Sequence, residues 1–180
     1  MTRTQAQIHH VRKGIIMLAL TAPVIRSSFI NASRKESSVA GLPDDLDTRD
    51  WSQFDYLGWH DPKFAKRAYV VLPAFDGTPT GIMLRQADAS PQRRQICEWC
   101  RDTRLINEVV FFSARRAGES GRRGNTVGTL ICQNFQCSWN VRTDPPLPYD
   151  GFDMAAERQR RIEHLQHRVA SFADMLVTGR

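Results

Sequence analysis

The sequence predicts an α+β fold: a small mixed unit of short strands and helices, closed by a C-terminal amphipathic helix. Three features carry that prediction: two hairpin-like stretches, one helical apolar period near the C-terminus, and four cysteines confined to two close pairs. A chain of 180 residues can bury one ordinary core but not two large ones, so residues 21–180 are expected to form a single domain. Apolar residues make up 41% and charged residues 24%, the balance of a globular protein rather than a disordered tail.

The first twenty residues read as a loosely ordered extension ahead of that domain. Ile15 to Ala22 follows Arg12 and Lys13 and mimics a signal peptide, but Pro23 after Ala22 spoils the cleavage site. No apolar run approaches the roughly twenty residues a membrane span requires, so a cytoplasmic protein with no membrane partner is expected. Thr21 as a cap, Pro23 in a first turn and the stripe Val24, Ile25, Phe29 and Ile30 predict a short helix to about Ser33. The acidic turn Asp44 to Asp50 matches no calcium loop. Trp51, Phe54, Tyr56, Leu57 and Trp59 follow as a cluster of core type.

Ala68 to Pro73 and Gly81 to Arg85 flank Asp76-Gly77, a dipeptide suited to a tight turn with positive φ, and predict a β-hairpin. Asn107 to Ser113 and Thr126 to Cys132 predict a second hairpin with a long basic tip. Pro145, Pro146 and Pro148 lack backbone donors and make a stiff connector. Beyond it, Ile162, Leu165, Val169, Phe172 and Leu176 recur at helical spacing opposite an arginine-rich face, and this stripe is expected to pack on the sheet.

The four cysteines carry the chemistry. Cys97-Glu98-Trp99-Cys100 and Cys132-Gln133-Asn134-Phe135-Gln136-Cys137 hold every cysteine of the chain. A two-residue spacer lets a tight knuckle aim two sulfurs at one ion, and zinc prefers a tetrahedron of thiolates. The 31 intervening residues exceed short finger spacing, but a hairpin there returns Cys132 to Cys100. Disulfides do not suit a chain without a secretory signal, and a redox pair leaves Cys132 and Cys137 unexplained. We therefore expect a structural Zn2+ on Cys97, Cys100, Cys132 and Cys137 within a subdomain at about residues 93–143. Four thiolates leave no open position for water, and no phosphate loop, dinucleotide signature, metalloprotease helix or nucleophile elbow occurs elsewhere. A binding protein is expected rather than an enzyme, with no small-molecule substrate.

The net charge of +6 comes almost wholly from arginine, since lysine occurs only at Lys13, Lys35, Lys63 and Lys66. Between the second pair of strands, Arg115, Arg116, Arg122 and Arg123 alternate with Gly118, Gly121 and Gly124. Paired guanidinium groups on such a tip can grip carboxylates or phosphates bidentately. Phe135 lies in the tight turn between the last two ligands, where an aromatic side chain is expected to protrude; the alternative is that it folds back onto Trp99 or Trp139 as a cap on the metal site. Phe135, Trp139 and the four arginines form the expected partner-binding surface.

Several strings in order resemble one family. Cys97-x-x-Cys100, Asn107-Glu108-Val109-Val110-Phe111-Phe112-Ser113-Ala114-Arg115-Arg116, Gly121-Arg122-Arg123-Gly124-Asn125-Thr126-Val127-Gly128-Thr129 and Ile131-Cys132 through Cys137 are similar to the zinc domain of the FusB-type elongation factor G-binding proteins. Weaker similarity runs through Ile25-Arg26-x-Ser28-Phe29-x-Asn31 and Leu57-Gly58-Trp59-x-Asp61-Pro62. The resemblance implies a treble-clef zinc finger fused to a small α/β unit that binds elongation factor G, on the ribosome or off it, and aids its release. The four-residue spacer before Cys137 departs from the two residues common in such fingers. The competing expectation is an RNA-binding or ribosome-associated zinc protein that uses the arginine tip on phosphates.

Overall fold

A computed structural model describes residues 17–89, 91 and 93–179. Five antiparallel strands follow one another across a single sheet: β1 (Leu57–His60), β2 (Arg67–Pro73), β3 (Pro79–Gln86), β4 (Val109–Arg115) and β5 (Thr126–Cys132). The helices are α1 (Ala22–Ser28), α2 (Arg34–Ser38), α3 (Gly118–Arg122), α4 (Cys137–Arg142) and α5 (Met154–Thr178). Both expected hairpins are present, and Gly77 takes a φ of 84° at the turn joining β2 to β3.

Side-chain alternation divides the core into two layers. Ala68, Val70 and Leu72 of β2 point to one face with Ile82, Leu84, Val110 and Phe112, where Leu165, Val169, Phe172 and Leu176 of α5 cover them. Tyr69 and Val71 point to the other face, where Leu57, Trp59 and Ile25 of α1 meet them. Strand β2 is thus buried on both sides, which is why Ala68 to Leu72 is a continuous apolar run without alternation. The apolar stripe of α5 packs as its period predicts, with Leu165 and Phe172 both buried. Asp153 caps its first turn by accepting from the Ala156 amide at 2.9 Å, and Gly179 ends it at a φ of 80°.

The structure refines three expectations. The first helix stops at Ser28 rather than about Ser33, because Phe29 turns extended, bridges to Gly81, and lets the Ile30 amide donate to the Gly81 carbonyl at 2.9 Å. A capping box between Ser33 and Glu36 then starts α2. The aromatic run from Trp51 to Trp59 also contains an edge strand, β1, that composition alone did not announce. The loose extension expected over residues 1–20 lies largely outside the described residues, but Met17 and Leu20 are buried in the second core layer.

Strands β3 and β4 pair only at Arg85 with Ser113 and Gln86 with Phe112 before they diverge. Asn31 occupies the gap. Its side-chain amide donates to the carbonyls of Met83 at 2.9 Å and Arg115 at 3.0 Å and accepts from the Met83 amide at 2.8 Å. One buried side chain thereby replaces missing ladder bonds and joins the two hairpins into one sheet.

Candidate metal centre and partner surface

Three local structures deliver the four thiols. Cys97 and Cys100 sit on a knuckle whose turn closes through the Arg101 amide to the Cys97 carbonyl at 2.9 Å, with Arg101 itself at a positive φ of 51°. The Glu98 amide donates to the Leu130 carbonyl at 2.8 Å, which fastens the knuckle to β5. Cys132 is the last residue of β5, and Cys137 is the first of α4. Between them Phe135 adopts a left-handed backbone at φ 59°. That reversal accommodates the four-residue spacer and turns the chain so that α4 begins at the metal.

All four Sγ atoms are buried and lie within 4.8 Å of one another. Cys97 and Cys137 Sγ are 3.6 Å apart, and Cys100 and Cys132 Sγ are 3.8 Å apart. A tetrahedral ion with four bonds of about 2.3 Å separates its sulfurs by about 3.8 Å, so the cage has the size zinc requires. Burial pushes the Cys137 thiol well above its usual range, and the three neighbouring sulfurs add to that. Such a cluster needs a cation to hold its thiolate charge, and the resident zinc supplies it.

The surroundings orient the sulfurs in ways that sequence reasoning missed. Asn140, buried on α4, directs its side-chain amide at Cys100 Sγ and Cys132 Sγ, both at 3.5 Å. Arg161 of α5 donates to the Asn140 carbonyl at 2.6 Å, the Thr143 carbonyl at 2.8 Å and Asp102 at 3.0 Å. Arg168 donates to the Trp99 carbonyl at 3.0 Å. Two arginines of the long helix therefore clamp the knuckle and α4 together. Asp55 joins them from the other side, accepting from Arg142 at 2.6 Å and from Gln166 at 2.9 Å. Helical spacing places Arg161, Leu165 and Arg168 on one stripe, a signal that could have identified both arginines as inward-facing.

Phe135 does not protrude, contrary to expectation. It is buried beside His60 and Phe112, with ring centroids at 5.4 and 5.5 Å, and its carbonyl accepts from the Tyr56 hydroxyl at 3.2 Å. The left-handed backbone swings its ring back over β1, where Gly58 makes room. The expected alternative contacts with Trp99 or Trp139 do not form either: Trp99 packs on Tyr56 and Phe172, and Trp139 is 73% exposed.

The arginines do not form a single gripping tip. Residues 118–122 are a helical turn, α3, in which Gly121 packs so closely under the Arg116 carbonyl that a Cβ would lie 1.8 Å from it. Arg123 pairs with Glu119, Arg115 pairs with Glu36, and Arg116 donates to the Met175 carbonyl at 3.0 Å. Arg122 is exposed, and among the described residues its guanidinium has no hydrogen bond or ion pair. Strand β5 also runs the whole way from this turn to Cys132, about 20 Å at about 3.3 Å per residue, so the arginines and Trp139 occupy opposite ends of the hairpin.

Knuckle, hairpin and short helix around four buried thiols define a treble-clef zinc finger, here built into one edge of a five-stranded sheet. The chain belongs to the FBP C-terminal treble-clef zinc-finger family, which matches residues 24–176. Among curated proteins, none matches it. A solved structure similar to it is that of the fusidic acid resistance protein FusC, at 23% identity and a TM-score of 0.41, covering 55% of this chain and 42% of that one. The overlap therefore spans less than half of FusC.

Proposed function

We propose that this chain is a non-catalytic binding protein of the cytoplasm that docks on translation elongation factor G through the outer face of its zinc finger and promotes release of the factor from the ribosome. The partner follows from the family to which the chain belongs together with the resemblance to FusB-type proteins. The observation that carries the choice of surface is Trp139, which is 73% exposed on α4 only two residues from a metal ligand. An exposed tryptophan on a metal-anchored helix spends little conformational entropy on binding and is a favoured energetic centre of protein interfaces. Arg104, which reaches the Thr143 carbonyl just past α4, carries beside it Ile106, 95% exposed. A thiolate cage closed by four cysteines offers no coordination position for a substrate, which supports a structural rather than catalytic metal.

Calorimetry with purified elongation factor G tests the reading. Trp139→Ala should keep zinc and melting temperature yet weaken binding by about thirtyfold, the scale of an interface hot spot. Unchanged affinity would remove Trp139 from the interface, and absence of binding by the parent protein would remove the factor as partner.

A further inference from the structure

On the outer face of the sheet α1 packs against β3, while Arg85 near the end of β3, Phe111 and Arg115 of β4, and Thr126 and Gly128 of β5 stay exposed. A cleft of roughly 620 Å³ opens there, lined by Lys66, Arg67, Arg85 and Arg115 together with Glu36. Arg67 and Arg85 are direct cross-strand partners, and Arg85 in turn pairs with Ser113, so these three side chains form one row across β2, β3 and β4. Like charges placed directly opposite each other on paired strands are unfavourable for the sheet itself. Lys66 pairs with Asp88 and Arg115 with Glu36, but among the described residues neither Arg67 nor Arg85 is in an ion pair. Arg67 instead lays its guanidinium over the Phe64 ring, 4.2 Å from the centroid, which fixes the cation at the cleft wall.

An aromatic side chain continues the row. Phe111 is two residues from Ser113 along β4 and therefore on the same face, about 7 Å away. Its ring is laid down on the sheet over Gly128, where a Cβ would come within 2.1 Å of Phe111 Cζ, and the side chain remains 42% exposed. Glycine at 128 thus lets the ring lie low across β5 instead of standing clear of the sheet. Ser113 and Thr126 also line the cleft, Ser113 beside Arg85 and Thr126 across from Arg115 at the end away from Phe111.

From this arrangement we propose that the open sheet face binds single-stranded RNA, with Arg67 and Arg85 on backbone phosphates and a base stacked on Phe111. Cations that track a backbone beside an aromatic platform are the chemistry of single-strand recognition. The hydroxyls of Ser113 and Thr126 suit a ribose 2′-OH, which distinguishes RNA from DNA. This surface is separate from Trp139 and does not depend on the elongation-factor reading.

Fluorescence anisotropy of the zinc-loaded protein with a labelled oligouridine of about ten nucleotides tests it, since single-strand sites span a few to a dozen or so nucleotides. Phe111→Ala should weaken binding by about tenfold or more, the range of one stacked base. Arg67→Ala with Arg85→Ala should lower affinity and flatten the dependence of log K on log salt by about 1.4, the share of two phosphates on a single strand. Arg122→Ala with Arg123→Ala should leave both unchanged. If Phe111→Ala loses zinc or fails to fold, Phe111→Leu covers Gly128 without a π face and should show the same loss of affinity. Equal binding of the matching oligodeoxynucleotide overturns the choice of RNA. Oligoglutamate that competes fully, with Phe111 substitutions silent, overturns the proposal in favour of an acidic protein segment. Absence of oligonucleotide binding at physiological salt overturns it outright.

Discussion

The ring of Phe135 rests directly on the backbone of Gly58: a Cβ at residue 58 would lie 2.4 Å from Phe135 Cγ. A residue from the middle of the metal-bound turn thereby closes against the edge strand, its ring clustered with those of His60 and Phe112. The zinc finger and the sheet share one core, and Phe135 is where they meet.

Substitution on either side of that contact should be costly. Gly58→Ala forces overpacking worth about 1–3 kcal/mol, while Phe135→Ala opens a cavity worth about 3–5 kcal/mol. Thermal melts of both variants against the parent provide the measurement. A Phe135→Ala variant that melts like the parent would show that the ring is not buried as described.

Zinc content and stability should fall together. One zinc per chain is expected by elemental analysis, and Cys132→Ser should be as damaging as Cys97→Ser because thiolate ligation contributes directly to folding. Asn140→Leu removes the amide directed at Cys100 and Cys132 and should weaken zinc retention about 10–100-fold in competition with a chelator, the usual cost of a lost outer partner. Retention equal to the parent would assign Asn140 a packing role only.

Stability should depend on acid through Asp61. Burial would raise its pKa, but hydrogen bonds from the Tyr69 hydroxyl and from the amides of Lys63 and Phe64, at 2.8 and 3.1 Å, outweigh it and hold the carboxyl below its ordinary range. A depressed folded-state value contributes stability that is complete above the unfolded value near ~3.9 and is lost as the pH falls through the folded one. Tyr69, pushed up to about 12 chiefly by burial and then by Asp61, contributes in the opposite sense, with stability lost as the pH rises from about 10 towards that value. Tyr69→Phe should therefore cost about 1.5–3 kcal/mol at neutral pH and flatten both the acid and the alkaline limbs. Urea melts across the pH range check this, and curves parallel to the parent's would separate the pair from the pH response.

Much of the chain declares itself without coordinates. The two close cysteine pairs, Asp76-Gly77 and the period from Ile162 to Leu176 are local patterns, each produced by a constraint acting within a short stretch of chain: paired thiolate ligation, a positive-φ turn, one buried helical stripe. Spacing alone therefore yields the metal ligands, both hairpins and α5. Tertiary structure decided what depends on partners distant in sequence. Phe135 turned inward because Gly58, far earlier in the chain, leaves space for its ring. Arg115 and Arg116 were drawn away from a common grip by Glu36 and by the C-terminal end of α5. Arg67 and Arg85 became one cationic row only when β2 and β3 paired in register, since exposure and mutual approach are properties of a surface that forms only when the chain folds.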